Sequence, residues 1–207
     1  MKQKVKDLLK ILAIYIIAMF AAVITLKYVP INDILWKTAL ADFVAMVIVF
    51  IFSVRYKNSS VYDPYWSAAP VIIVIYWLFN SGQTDFYYKI IWGLIVIWGT
   101  RLTWNWILRW DGMEDEDWRY VNIKKKTGKF YWLASFFGIH LIPTALVFMG
   151  LVPIYYMFNS TAISPTSWFA VIAVLFILGA IYLEKTADDT LRIHIKSGRS
   201  STERLQR

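Results

Sequence analysis

The chain has 207 residues, enough for one domain, and 58% of them are apolar while only 17% are charged. Soluble domains carry about 25% charged residues, so the mean hydropathy of +0.49 and the 18% of aromatic residues indicate a membrane protein and exclude a soluble enzyme or a disordered chain. With no cysteine and a net charge of +8, the chain has no disulfide, thiolate nucleophile or Cys-ligated zinc, and the placement of its basic residues becomes informative.

Six apolar runs are candidates to cross a hydrocarbon layer of about 30 Å. The first follows several lysines and is predicted to be a retained helix, because its apolar core is too long for a signal peptide. The third has only 12 apolar residues from Ala68 to Phe79, so a re-entrant helix is the alternative to a span. The sequence therefore predicts an all-α polytopic protein with a single transmembrane domain over 1–207 and runs at about 8–29, 38–54, 67–80, 86–108, 131–158 and 167–183.

Charge placement orients these runs. With six spans and the N-terminus inside, 18 Lys and Arg residues face the cytoplasm and three face outward. If the third run does not span and the N-terminus lies outside, the best ratio is 14 to seven. The positive-inside rule favours six spans with both termini cytoplasmic, in the cytoplasmic membrane. The basic residues then serve orientation, and no nucleic-acid partner is expected.

The fourth run carries a polar stripe. Trp98, Arg101, Asn105 and Arg109 recur at helical spacing and so share one face. A cation at the depth of Arg101 costs at least about 2.5 kcal/mol unless it snorkels or faces a wet cavity. The stripe predicts a cavity open to the cytoplasm, with a snorkelling arginine as the alternative.

Two further polar features are less specific. His140 lies inside the fifth run, where either a functional role or hydrogen-bonded packing beside Pro143 would explain it. The 109–130 loop holds Asp111 and the acidic run 114–117, which suits either a cation site or a solvated helix start. Their spacing matches no calcium loop, and the sequence predicts no metal site.

Acidic residues also flank the third and sixth runs. Pro64 biases Asp63 away from a helix, so Asp63 is predicted on a rigid turn at the membrane surface. If the last helix continues, Glu184, Asp188 and Arg192 share a face. That face is either an ordinary solvated helix end or a surface turned towards a polar ligand. No dinucleotide fingerprint, P-loop, HExxH or GxSxG motif occurs.

One ordered set of residues runs through the polar segments: Asp63-Pro64-x-Trp66, Arg101-x-x-x-Asn105-x-x-x-Arg109-Trp110, Glu114-x-x-Asp117-Trp118-Arg119-Tyr120, Gly128-x-x-Tyr131-Trp132, Phe136-Phe137 and Glu184-x-x-Ala187-Asp188-x-x-Leu191. This order, over about residues 60–195, resembles a bacterial multi-pass membrane family of unknown function in the steroid 5-alpha-reductase superfamily.

The resemblance implies a helical domain with a cytoplasm-facing cavity for NADPH. It implies hydride transfer to the β-carbon of an enone in a lipidic or steroid-like substrate, as in a 3-oxo-5-alpha-steroid 4-dehydrogenase. Asp63 takes the place of the acid that polarises the carbonyl, whereas the position of the assisting tyrosine holds Trp98. The residues implied for the cofactor are Arg101, Asn105, Arg109, Glu114, Arg119, Tyr120, Glu184, Asp188 and Arg192.

The chain departs from its relatives at its end. Relatives continue into an Arg-His-Pro-Asn-Tyr-like segment, whereas this sequence stops at Arg207. We therefore expect a truncated or shortened member, or half of a split one, with a partner chain or self-association completing the site. NADH remains an alternative to NADPH.

Three other functions stay open: a non-catalytic remnant or partner subunit, a membrane methyltransferase of the isoprenylcysteine type using S-adenosylmethionine, and a transporter. Asp42 is the intramembrane acid nearest the outer side, where a transporter would need polar groups. A reductase predicts instead that Asp63, Arg101, Glu114, Arg119 and Asp188 converge on one cavity large enough for a dinucleotide.

Overall fold

The computed structural model describes residues 2–159 and 168–196, and every regular element in these ranges is helical. All six apolar runs coincide with helices, which confirms the all-α prediction. The elements are α1 (Lys2–Tyr28), α2 (Ile34–Tyr56), a 3₁₀ turn (Ser59–Tyr62), α3 (Tyr65–Ser81), α4 (Phe86–Arg109), α5 (Trp118–Thr127), a 3₁₀ turn (Gly128–Phe130), α6 (Tyr131–Ala134), a π-helix (Ser135–Leu141), α7 (Ile142–Asn159) and α8 (Trp168–Lys196).

Three stretches of the described chain are long and apolar enough to cross a membrane: Lys2–Tyr28, Ile34–Tyr56 and Trp118–Asn159. These stretches expose apolar side chains such as Phe20 and Leu146, as helices that face lipid do. The other long helices are shorter or carry more polar residues, as α4 does with Arg101 and Asn105. The protein therefore has membrane-spanning character.

The chain divides into two compact units, Met1–Thr161 and Ala162–Arg207. In the first, α1 packs on α2, and α3 packs on α4 and α7. Its core includes Ile14 of α1, Met46 and Val49 of α2, and Tyr62 of the 3₁₀ turn. The described part of the second unit is α8.

Helix α4 lies unusually close to α3 at Gly99. A Cβ atom at this position would clash with the backbone oxygen of Ser67 and lie 2.9 Å from Cγ2 of Val71. The Ser67 and Thr103 hydroxyl groups are also hydrogen bonded at 2.8 Å. Glycine therefore permits the close approach of these two helices.

The π-helix precedes Pro143, and the proline explains it. Proline has no N–H to give to the carbonyl four residues earlier, and its ring clashes with that carbonyl in a regular α-helix. Here the N–H of Ile142 bonds to the carbonyl of Phe137, five residues back. The wider turn places His140 inside the bundle, and π-helical turns are frequent at functional sites.

Candidate functional site

The segment between α2 and α3, residues 57–64, turns back into the bundle. Lys57 ends α2 in the left-handed conformation, with φ 56°, and its N–H caps the helix. About 21 Å separates Asp42 from Tyr56 along α2, yet Tyr65 at the start of α3 reaches Asp42 with its hydroxyl group. The intervening segment therefore runs back beside α2, and we call residues 57–64 the return segment.

Burial of the return segment corrects the prediction of a surface turn. Ser59, Val61 and Tyr62 are almost fully buried, and Asp63 is only partly exposed. The Tyr15 hydroxyl donates to the Val61 carbonyl at 2.9 Å, which holds the segment against α1. Apolar residues at 61 and 62 and the hydroxyl groups of two serines allow this burial, because the polar groups find partners inside.

Asp63 is paired with a phenol. The Tyr120 hydroxyl donates to Oδ1 of Asp63 at 2.6 Å. Burial raises the pKa of Asp63 to about 6, although the hydrogen bond from Tyr120 opposes the shift. Asp63 therefore has a phenol beside it, which comes from α5. Trp98 packs edge-on against Trp66, with ring centroids 6.2 Å apart.

Next to this pair lies a cluster of opposite charges. Arg119 donates to both carboxyl oxygens of Asp117, at 2.9 and 2.7 Å. Burial raises the pKa of Asp117, but these bonds and the nearby charge of Arg109 outweigh burial, so the net pKa lies below its ordinary value. Asp117 also caps α5 by accepting from the Arg119 N–H. This confirms the predicted helix start at Asp117, the last residue of the acidic run.

The acidic loop is otherwise bound to the return segment. Glu116 accepts hydrogen bonds from the Ser59 N–H and the Tyr131 hydroxyl, both at 3.0 Å. Asn58 donates to the carbonyls of Met113 and Asp115. Glu116 is therefore a structural anchor and not part of a solvated acidic face, and no group of three or more potential metal ligands occurs among the described residues.

His140 occupies a fully buried hydrogen-bond network. Its Nε2 lies 3.1 Å from the Ser53 hydroxyl and its Nδ1 lies 3.0 Å from the Ser135 carbonyl. The Ser59 hydroxyl joins this network to Tyr131, at 2.7 Å, and to Ser135, at 2.9 Å. The geometry supports the packing role for His140, which ties α2 to the π-helix.

A second carboxyl–phenol pair lines an apolar cavity of about 210 Å³ between α1, α2 and α3. The Tyr65 hydroxyl donates to Asp42 at 2.6 Å, and both side chains line the cavity. Six alanines form much of the remaining wall: Ala18, Ala22, Ala41, Ala45, Ala68 and Ala69. The sequence identifies Asp42 only as an intramembrane acid, because no local sequence pattern indicates its hydrogen bond with Tyr65.

Residues 49–206 match a family described as a protein of unknown function, DUF1295. The chain belongs to this family. No curated protein and no solved structure matches the chain. The DUF1295 match includes Asp63 and Tyr65 but begins after Asp42, so one half of the cavity pair lies outside the matched range.

The residues predicted to hold a cofactor are only partly brought together in this DUF1295 member. Arg109 and Arg119 both lower the pKa of Asp117, and the neighbouring Tyr120 donates a hydrogen bond to Asp63. On α4, Asn105 is buried, and its carbonyl accepts a hydrogen bond from Nε of Arg109 at 3.3 Å. Arg101 shares the same stripe and is partly exposed.

Of the remaining predicted residues, one lies in the loop before α5 and three lie on α8. Glu114 is exposed in the loop before α5. The last helix extends through Glu184, Asp188 and Arg192, which meets the condition on which their shared face was predicted. The side chain of Arg192 lies outside the described residues. Neither described cavity is lined by a residue predicted to contact the cofactor.

The arginines fit the phosphate groups of NADPH in their chemistry. Asp117 already presents an anionic, two-oxygen group to the fork of Arg119, which is the type of contact a phosphate makes. Arg109 and Arg119 are both exposed, so an anion can approach them from outside the bundle.

Proposed function

We propose that this DUF1295 member is a membrane-embedded reductase of a carbon–carbon double bond conjugated to a carbonyl in a lipidic substrate. The proposal rests on the Asp42–Tyr65 pair, which places a carboxyl group and a phenol at an otherwise apolar cavity. Apolar walls suit a hydrocarbon substrate, and an acid–phenol pair suits a carbonyl oxygen. The resemblance of the polar segments to the steroid 5-alpha-reductase superfamily supports this reaction type.

The pair can act as an electrophile. When Asp42 carries its proton, the two side chains have two O–H groups, and their mutual hydrogen bond uses one. The other can be donated to the substrate carbonyl, where it stabilises the negative charge that develops on oxygen as the β-carbon is reduced. When bound, NADPH would supply the hydride, and one proton from solvent would complete the saturation of the double bond.

The cofactor phosphates would be held by Arg109 and Arg119, with Arg101 and Asn105 continuing the same stripe along α4. Arginine suits this role because its guanidinium binds phosphate oxygens as a fork. The Asp63–Tyr120 pair lies beside Arg119. We propose that it orients the return segment between the cofactor and the cavity, a different role from the catalytic one that the resemblance implies for Asp63.

The proposed function includes an orientation. All six apolar runs span the cytoplasmic membrane, with both termini and the loop containing α5 on the cytoplasmic side. This arrangement places the arginine cluster in the compartment that contains NADPH. The distribution of Lys and Arg supports it.

The cofactor is tested first, by nicotinamide fluorescence on purified protein in detergent. We expect binding of NADPH that is lost in Arg101→Leu and retained in Arg55→Leu, which removes an exposed arginine at the end of α2. If a folded sample binds no NADPH, the reductase assignment is wrong. Binding of S-adenosylmethionine instead would support the methyltransferase, and binding of neither would support a partner subunit.

The cavity is tested by turnover of a long-chain α,β-unsaturated ketone. Tyr65→Phe and Asp42→Asn are each expected to lower kcat by about 100-fold, the effect of removing one donor to a developing oxyanion. Tyr156→Phe, which alters an exposed tyrosine of α7 that lines neither described cavity, serves as the control. Equal activity of all three variants would remove Asp42 and Tyr65 from the mechanism.

A further inference from the structure

The cavity has a definite direction. Asp42, Tyr15 and Tyr65 gather at one end, where the Tyr15 and Tyr65 rings meet edge-on with centroids 6.0 Å apart. From there the lining follows α1 from Tyr15 to Leu26 and α3 from Tyr65 to Tyr76. Each of these stretches rises about 16 Å. The cavity is therefore a groove with Asp42 and Tyr65 at one end.

The sides of the groove are open to the surroundings of the bundle. Met19 and Val23 on α1 and Ile72 on α3 line the groove and are also exposed, at 47%, 52% and 48%. Helix α2 forms the floor between them with Thr38, Ala41 and Ala45. In a membrane-spanning bundle, exposed apolar residues at this depth face lipid chains, so the groove opens sideways into hydrocarbon.

The dimensions favour a slender ligand. A volume of about 210 Å³ is below the range of roughly 300–1,000 Å³ that is usual for sites of drug-sized ligands. Six alanines line the groove, and their small side chains leave this space along the helices. A length of about 16 Å is close to half the thickness of the hydrocarbon core.

We propose that this groove binds one extended hydrocarbon chain of a lipid, which enters sideways from the bilayer between α1 and α3. The polar end group of that chain lies at Asp42 and Tyr65, and the chain runs along Ala22 and Ala69 towards Leu26 and Tyr76. This rests on the proposed function, because it names the substrate class for the same site: single-chain lipids with a carbonyl near one end, in place of fused-ring steroids.

The test uses the full chain in lipid nanodiscs with two photoactivatable probes, a fatty acid with a diazirine on its chain and a sterol diazirine. Cross-linked peptides are mapped by mass spectrometry, without NADPH or turnover. We expect the fatty acid to cross-link within residues 18–26 and 68–76 in preference to the outer face of α1 at Leu12 and Ile16. Uniform labelling of exposed apolar faces, or labelling of the groove by the sterol alone, would overturn the proposal.

Substitutions separate groove binding from general lipid contact. Ala22→Phe and, independently, Ala69→Phe fill the groove from opposite walls and are expected to lower cross-linking there by about tenfold or more, because overpacking of this kind excludes the chain. Ala13→Phe, on the exposed face of α1, is the matched control and leaves the yield unchanged. Unchanged yield in both groove variants would contradict the site.

Because binding alone is measured, the result is independent of catalysis. Groove labelling in a protein that binds no NADPH would leave a lipid-binding site without the reductase, whereas NADPH binding and turnover without groove labelling would leave the reductase with another substrate site.

Discussion

Among the single residues, the carboxyl groups of Asp63 and Asp42 are the main candidates for a functional role, and their surroundings differ. Asp63 meets Tyr120 beside Arg119, whereas Asp42 meets Tyr65 on the wall of an apolar cavity. The family pattern points to Asp63 because an acid precedes a proline there. The cavity points to Asp42, because a substrate carbonyl in that groove lies next to Asp42 and Tyr65 and no described cavity is lined by Asp63.

Asp63 makes stability depend on pH. Its pKa rises from 3.8 in its ordinary state to about 6 in the fold, so the folded state holds the proton more tightly than the unfolded state. The resulting stabilisation is complete below pH 3.8 and is lost as the pH rises through about 6. At about 1.4 kcal/mol per pKa unit, the loss amounts to up to about 3 kcal/mol.

We therefore expect Asp63→Asn to abolish this dependence. Asparagine cannot ionise, yet its side-chain oxygen can still accept the Tyr120 hydrogen bond. Thermal unfolding in detergent between pH 4 and 7 should show a falling midpoint for the unchanged protein and a level one for the variant, after subtraction of the slope common to both. Parallel pH dependences of the two unfolding midpoints would contradict the assigned pKa.

At the scale of elements, the close contact of α3 and α4 fixes the position of the proposed cofactor stripe relative to the cavity. Gly99 lies between Trp98 and Arg101 on α4, and it packs against Ser67, two residues after Tyr65. Any separation of these helices would move the arginines away from the Asp42–Tyr65 pair. The π-helix has a similar positioning role, because it holds His140 between Ser53 and Ser135.

Two glycines of α4 provide a matched test of this contact. Gly99→Ala introduces a Cβ that clashes with the backbone of Ser67, whereas a Cβ at Gly93 meets nothing within 4 Å. We expect Gly99→Ala to destabilise the protein by about 1–3 kcal/mol through overpacking. Gly93→Ala should be neutral or stabilise it by up to about 1 kcal/mol through helix propensity. Equal unfolding midpoints for the two variants would show that α3 and α4 are not in close contact.

At the scale of the whole molecule, the proposed orientation places the ends of α4 on opposite sides of the membrane. The absence of native cysteine makes this directly testable with single-cysteine variants and a membrane-impermeant maleimide on intact cells. Thr84→Cys, before α4, should react from outside, whereas Lys126→Cys, after it, should react only once the cells are opened.

Lys6→Cys reports the N-terminus and should behave like Lys126→Cys, because both positions are cytoplasmic in the six-span arrangement. Both lysines are exposed, so burial does not limit labelling. Labelling of Thr84→Cys and Lys126→Cys from the same side would rule out a spanning α4 and with it the six-span orientation.

The helical class, the place of each long helix and the membrane character could be predicted from the amino-acid sequence. These follow from hydropathy and helical periodicity, which are local properties: α4 was predicted at 86–108 and extends from Phe86 to Arg109. The stripe of Arg101, Asn105 and Arg109 could also be predicted from the sequence, because its three members lie on one helix.

The contacts between side chains on different helices could not be predicted in this way, because they depend on how the chain folds back on itself. The Asp42–Tyr65 and Asp63–Tyr120 pairs join residues 23 and 57 positions apart. Their contacts depend on the return segment reversing into the bundle. A polar segment with a proline indicates a surface turn by local rules, and it is buried here because Asn58, Ser59 and Ser60 find hydrogen-bond partners in a loop more than 50 residues away. Such compensation becomes visible only when the chain has folded.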